Sequence, residues 1–392
     1  MSALKVVPPK TERLCASAAF EAVLKAAEEN AEEVDRLGRF PKEAVSTLKR
    51  TGALGWFAPG GGNAQLEDLA EATFALSRRC SATGMIFAMH QIQVASLVRH
   101  GGGSHWMVDY LRRLVEEQRL IASATSEVGV GGNMRKSVAS LESTGDRISF
   151  QKKASTISYG GHADDLLTTL RRSSTADSGD QVLVLTHFSE MKKEQMGDWD
   201  TLGMRGTCSP GFVVSGDCLA DQVLPVPFAT IAAETMVPVS HILWAHVWLG
   251  IATEAFDRAQ NFVRVQARQD PGTRPPAAVK LADLSVLIHQ FRTSVSDALQ
   301  EYVELLDSGN CSHLATVGYA LRINNFKVAT SEMALDICQG ALRVCGFLGY
   351  KNGGPYSIGR LLRDAHSAAL MIANDRILAT NASLLTVYRD SI

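Results

Sequence analysis

The stretch RLLRDAHSAALMIAND, residues 360–375, places an Arg-Asp pair, Arg363 and Asp364, at the head of a helical-looking run of Ala, Leu, Met and Ile. No carboxylate follows inside that run until Asp375. A segment that removes protons from a carbon acid needs a positioned base, which typically contributes about 10²- to 10⁴-fold to the rate. If this run lines an active site, something other than a glutamate does that work.

Four other stretches carry polar groups among glycines. ATSEVGVGGN (124–133) puts glycines directly after a strand-like run, where backbone N–H groups can approach a ligand closely; a plain turn between strands is the commoner origin of such a pattern. ISYGGHAD (157–164) offers the Ser158 hydroxyl, the Tyr159 ring and His162 around Gly160 and Gly161, and a β-turn accounts for it equally well. DWDTLGMRGTCSPG (198–211) holds Trp199, Met204 and Arg205 among turn formers and reads by default as a structural loop. CQGALRVCGFLGY (338–350) contains Gln339, Gly340, Gly346 and Gly349 in otherwise helical sequence. A glycine inside a helix costs about 1 kcal/mol, so Gly346 and Gly349 mark a helix end or a close approach by backbone or ligand.

These stretches must be positioned by the elements around them. Residues 12–120 have helical periodicity, as in FEAVLKAAEENAEEVDRLGRF and LEDLAEATFALSRRC, with APGGGNAQ as a loop between them. SATGMIFAMHQIQVASLVRHGGG is apolar nearly all round and is expected to be buried. After Leu120 the texture changes to short β-branched runs separated by Gly, Asp and Ser turns. Helical periodicity returns after Pro225: Leu284, Leu287, Phe291, Val295, Leu299, Val303 and Leu306 form one stripe that ends at Gly309. With comparable segments near 238–268, 313–346 and 356–388 it predicts a four-helix bundle. The expected domains are therefore helical (1–119), β (120–226) and helical bundle (227–392), an α+β chain.

Composition excludes several classes. At 46% hydrophobic and a formal charge of −2, the chain has ample core and no basic stripe for nucleic acid. Seven scattered cysteines without a CxxC pair or zinc-spaced histidines predict a reduced, metal-free, cytoplasmic protein. The first residues lack a leader-like pattern and are expected to form a loose tail, and no run of about 18 apolar residues predicts a membrane span.

Taken in order, these motifs resemble the acyl-CoA dehydrogenase superfamily over nearly the whole chain. ATSEVGVGGN is similar to its Thr-Glu-Pro-Gly-Ala-Gly-Ser-Asp element, KASTISYGGHAD to its Lys-x-Trp-Ile-Thr-Asn-Gly segment, and LGMRGTCSPG to its Gly-Met-Arg-x-Ser loop. CQGALRVCGFLGY and IGRLLRDA resemble its Gln-x-x-Gly-x-x-Gly-Tyr and Arg-x-x-Arg-Asp-Ala. The resemblance implies a helical N-domain, a β-barrel-like middle domain and a C-terminal four-helix bundle, a homodimer or homotetramer, and FAD between the domains. It assigns Ser126 to the flavin pyrimidine ring, with Gly129 and Gly131 in the same turn, and Ser158, next to Ile157, to the N5 edge. Gln339, Gly340 and Gly346 match the segment that reaches a neighbouring subunit's FAD. Arg268 stands for the family's pyrophosphate arginine, although Arg264 aligns without a gap, and Asn374 falls in the cofactor-side Gly-Thr pair.

Departures fall at the chemistry. The family's Ser-Asp is Gly132 and Asn133, its flavin-stacking Trp is Thr156, and its catalytic Glu falls on Ile372. An alternative glutamate site on the first bundle helix falls near Ser240, which also lacks a carboxylate. The substitutes within reach are Glu234, His241, His366 and Asp375, each with an ordinary structural role as its alternative. The resemblance implies α,β-dehydrogenation of an acyl thioester, carried on CoA or a carrier protein as in fatty acid metabolism, with electrons passed to an electron-transfer flavoprotein or other acceptor. A flavin monooxygenase of the same fold and a silent flavoprotein are the alternatives; against the former, the histidine expected near Met371 is absent.

Overall fold

The computed structural model describes residues 14–389 other than Gly132; the opening tail and the Gly132 substitution lie outside the described residues. Five helices come first: α1 Ala18–Leu37, α2 Lys42–Arg50, α3 Leu66–Arg79, α4 Ser81–His100 and α5 His105–Glu117. The Ser17 hydroxyl caps α1 by accepting from the Phe20 N–H at 3.2 Å, and the helix ends where Gly38 takes φ +61°. Its apolar stripe of Phe20, Val23, Leu24, Ala27, Ala31 and Val34 is buried. As its composition predicts, α4 is buried on nearly every side.

The middle region holds two small sheets. Strands β1 (Ile121–Ala124), β4 (Asp165–Arg171) and β5 (Gln181–His187) form one in the order β1-β4-β5, with β1 parallel to β4. Strands β2 (Glu142–Thr144), β3 (Arg147–Ala154), β6 (Met191–Met196) and β7 (Gly211–Leu219) form an antiparallel sheet in the order β2-β3-β7-β6. The barrel-like expectation is thus realised as two sheets. Alternate residues of β3 are buried, and Lys152 among them reaches across to the other sheet, donating to the carbonyl and hydroxyl of Thr169 at 2.7 and 2.8 Å.

The C-terminal half begins with α6 (Phe228–Ile231), continues through one widened π turn, Ala232–Met236, and runs into α7 (Val237–Gln269). Phe228–Gln269 is the one described stretch long and apolar enough to cross a bilayer, but 94% of its most apolar window is buried inside the fold. It is the core helix, packed on α3, α4, α8 (Ala278–Asp307) and α9 (Val317–Tyr350). The expected fourth bundle helix is not continuous. It comprises α10 (Gly359–Ala365), α11 (Ser367–Leu370) and α12 (Asn374–Leu385), and Met371, Ile372 and Ala373 leave the helical conformation between the last two. Periodicity missed this break because Ile372, at φ +49°, is a β-branched residue in a region that ordinarily calls for glycine.

Candidate functional site

The three regions line a partly open cavity of about 730 Å³, within the 300–1,000 Å³ range of ordinary ligand pockets. Helix α4 contributes Met85, Met89, Ile92 and Gln93; the turns after β1 and β3 contribute Ser126, Gly131, Thr156 and Ser158. The 199–209 loop supplies Trp199, Leu202, Gly203, Met204, Thr207 and Ser209, the head of α7 supplies Val237, Ser240 and Trp244, and the broken last helix supplies Arg363, His366, Leu370, Met371, Ile372, Ala373 and Arg376. The wall is mainly apolar, fringed with hydroxyls, and no described Asp or Glu lines it.

Hydrogen bonds fix the turns that deliver these hydroxyls. Ser126 Oγ donates to the Thr156 carbonyl at 2.8 Å and accepts the Thr156 N–H at 3.1 Å, so it laces two cavity turns together. Ser158 Oγ accepts from Ser209 Oγ at 2.9 Å, and Ser209 is itself 2.9 Å from Thr207 Oγ1, which donates to the Met204 carbonyl. With the Ser209 hydrogen directed at it, Ser158 keeps its own hydrogen free to donate into the cavity. The turn carrying Gly131 and Met134 is closed from behind by Glu127, whose carboxylate accepts from Ser137 Oγ (2.8 Å), Val138 N–H (3.1 Å) and Ala139 N–H (2.7 Å).

Charges in the wall are of one sign. Arg363 is paired with Asp35 of α1 and donates to the Leu202 carbonyl at 3.0 Å. The Arg376 guanidinium, near Gly131, engages no other described residue. His366 is half-buried and neither ring nitrogen is bonded among the described residues. By contrast His241 is fully enclosed, 3.2 Å from the Ile323 carbonyl, and burial pushes its pKa down to about 4, so it is a neutral core histidine outside the cavity wall.

Of the four candidate bases, only His366 lines the cavity. Glu234 sits in the π turn, where its carbonyl accepts from Tyr302 at 2.9 Å, and Asp375 is exposed at the start of α12. Among the flavin candidates the structure brings Ser126, Gly131 and Ser158 together on the wall, while Gly129 is exposed beside them and Ile157 is buried behind Ser158. Asn374 turns inward, its Oδ1 accepting from Lys327 Nζ at 2.7 Å. Arg268, exposed in the last turn of α7, and Gln339, Gly340 and Gly346 of α9 lie off this wall. Gly340 has a packing role inside the chain: a β-carbon there would lie 2.3 Å from Leu284 of α8. Gly346 takes φ +56° and breaks α9 in an exposed stretch with Phe347 and Tyr350.

Sequence reasoning treated the 198–211 loop as structural and α4 as plain core, yet both form cavity wall. Only the Gly-Met-Arg resemblance hinted at the loop. Nothing in an all-round apolar helix tells which of its faces borders a void.

The family of this fold and cavity is shown by comparison. The acyl-CoA dehydrogenase N-terminal domain matches residues 9–118 and the C-terminal domain matches residues 231–374. The chain belongs to the acyl-CoA dehydrogenase superfamily. It is 26% identical over 356 residues to the short-chain-specific acyl-CoA dehydrogenase of Clostridium acetobutylicum, covering 86% of this chain and 87% of that protein. It is 23% identical over 338 residues to the probable FMNH2-dependent monooxygenase SfnC of Pseudomonas putida, covering 81% and 82%. The FMN-bound structure of TdsC from Paenibacillus sp. A11-2 superimposes with a TM-score of 0.80 at 18% identity, covering 96% and 98% of the two chains.

The cavity suits the flavin that this superfamily uses. It has the volume and apolar walls for a ring system, a hydroxyl hydrogen at Ser158 directed into it, and at Arg376 a cation without a partner among the described residues for an anionic substituent.

Proposed function

We propose that this protein is a flavin-dependent monooxygenase that acts on a small, largely apolar, aromatic molecule. The observation that carries the reading is the absence of any carboxylate from the described cavity wall, at Ile372 and at Ser240 alike. A thioester dehydrogenase must take a weakly acidic carbon-bound proton and needs a strong, positioned base for it. Oxygen insertion places no such demand. FMN is the favoured form of the cofactor because the similar TdsC structure carries it.

When bound, a reduced flavin supplies the two electrons with which oxygen is cleaved, one atom entering the substrate and the other leaving as water. The chain supplies the surroundings. Ser158 offers a donor to the cofactor's polar edge, and Trp199, Met204, Trp244 and the α4 methionines give the cavity an apolar wall for a ring system. His366, with neither ring nitrogen bonded among the described residues, is the group placed to hand over or accept a proton.

The competing reading is α,β-dehydrogenation of an acyl thioester with His366 as base, supported by the similarity to the clostridial dehydrogenase. One experiment separates them. The FMN- or FAD-loaded protein is titrated anaerobically with acyl-CoA and carrier-bound thioesters, and separately supplied with reduced flavin, oxygen and a panel of aromatic compounds. Oxygenated product without thioester bleaching is the expected result. Bleaching by a thioester would overturn the monooxygenase assignment, and failure to take up either flavin would overturn both.

A further inference from the structure

Two costly features of this fold meet at one point. Lys327 of α9 is fully buried and has no carboxylate within ion-pair distance among the described residues. Its ammonium donates to the Ala368 carbonyl (3.1 Å), the Ile372 carbonyl (2.9 Å) and Asn374 Oδ1 (2.7 Å), and lies 5.7 Å from the centre of the Trp248 ring. All three of its hydrogens converge on the break between α11 and α12. In that break Ile372 holds φ +49°, a strained conformation for a β-branched residue. A buried unpaired cation and a strained Ile persist only where surrounding structure holds them, and such features gather at binding sites.

The break is also cavity wall. Leu370, Met371, Ile372 and Ala373 all line the chamber, and Ile372 stands where the family resemblance places a catalytic glutamate. We propose that Lys327 is a positioning residue: it never touches the ligand, but pins the 368–374 elbow in the left-handed form that sets this wall against the bound flavin and substrate. The proposal rests on the cavity being the flavin site.

A protonated lysine satisfies three acceptors and a neutral one only two. Burial lowers the Lys327 pKa to about 8, so the elbow loses a donor in an accessible pH range. The titratable groups acting on it are Glu332 on its own helix and His241 on α7, the latter neutral; the elbow itself offers only two carbonyls and the Asn374 amide. A lowered lysine pKa means that the unfolded chain binds more protons above pH 8, so this group favours folding more as pH rises. Ligand binding through the elbow should move the opposite way. A merely structural lysine would not separate the two trends.

The test is FMN affinity, thermal stability and amide exchange of residues 367–376 in the full chain, followed between about pH 7 and pH 9. Lys327→Met should weaken FMN binding by roughly tenfold and speed exchange at the elbow without a matching fall in melting temperature. In the Ile372→Gly background, where the left-handed form comes without strain, the same substitution should cost less than about threefold. Ile372→Gly alone, which needs no change at the lysine, should flatten the pH dependence of FMN binding. Equal losses in both backgrounds, or unchanged elbow exchange in Lys327→Met, would overturn the proposal. If the native chain binds no flavin at all, the functional reading fails, while the exchange data still decide whether Lys327 holds the elbow.

Discussion

A β-carbon built on Gly203 would lie 2.1 Å from the carbonyl oxygen of Arg363, so the cavity loop and α10 touch backbone to backbone. Beside this contact the Met204 N–H donates to Asp364 Oδ1 at 2.6 Å. Burial pushes the Asp364 carboxyl above its usual range, and the Met204 amide is among the groups that restrain it. Together the glycine and the aspartate clamp two lengths of cavity wall.

Because neither backbone can yield, Gly203→Ala should destabilise the fold by about 3 kcal/mol and displace the 199–209 loop. Urea unfolding measures this directly. A midpoint matching the native chain would show that the loop and α10 separate freely and that the clamp is not real.

Ser158 and Ser126 should behave differently although both line the cavity. Ser158→Ala removes a free donor and is expected to weaken flavin binding by about 1.4 kcal/mol, roughly tenfold, with little change in melting temperature. Ser126→Ala breaks the lacing to Thr156 and should lower both. Fluorescence titration with FMN alongside thermal melts distinguishes them, and indistinguishable variants would reject the assigned roles.

Glu127 holds the Gly131 turn and also lies 3.7 Å from the buried Lys152 ammonium. Glu127→Ala leaves the Val138 and Ala139 N–H groups without their acceptor and the buried Lys152 without its counter-charge, which should cost about 3 kcal/mol. Flavin binding should fall further than stability alone explains, because Gly131 and Met134 are released. A stable variant with native flavin affinity would show the turn to be held by other contacts.

Acid sensitivity should concentrate at Asp165, a buried carboxylate on β4 that accepts from Tyr110, Arg119 and His187, each at 2.6 Å. Burial pushes its pKa up, but the hydrogen bonds from Arg119, His187 and Tyr110 outweigh this and hold it below the usual value. The stabilisation is therefore complete above the unfolded carboxylate pKa of about 4 and is lost as pH falls through the lower folded value. Asp165→Asn should lower the melting temperature at neutral pH and flatten the acid limb of its pH profile. An unchanged acid limb would assign acid unfolding to other carboxylates.

Much of the fold was legible because its signals are local. Of the stripe read on α8, Leu284, Phe291 and Val295 are buried, while Leu287, Leu299, Val303 and Leu306 are half-buried, as a 3.6-residue repeat facing a neighbour allows. The all-round apolar α4 and the β-branched runs of the middle region needed no long-range information. At the candidate site, Ser126 and Ser158 came from the resemblance of their stretches to family motifs, and the structure puts both on the cavity wall.

Other parts were not legible. Periodicity ran straight through residues 371–373, because the contacts at the break are tertiary: the Ile372 carbonyl accepts from Lys327, 45 residues away in sequence. That Leu284 of a neighbouring helix packs beside Gly340 could not be read from the sequence. His366, His241, Glu234 and Asp375 were equivalent as letters, and only their burial and partners separate them.

By itself, then, the sequence carried the order of elements and the resemblance to the superfamily, and that resemblance places Ile372 where a glutamate is expected; each rests on residue type and short local motifs. The tertiary structure decided which polar groups face the cavity, that no described carboxylate does, and how the wall at Ile372 is held. Those outcomes depend on contacts between residues far apart in the chain, where packing and desolvation act and local propensity has no hold.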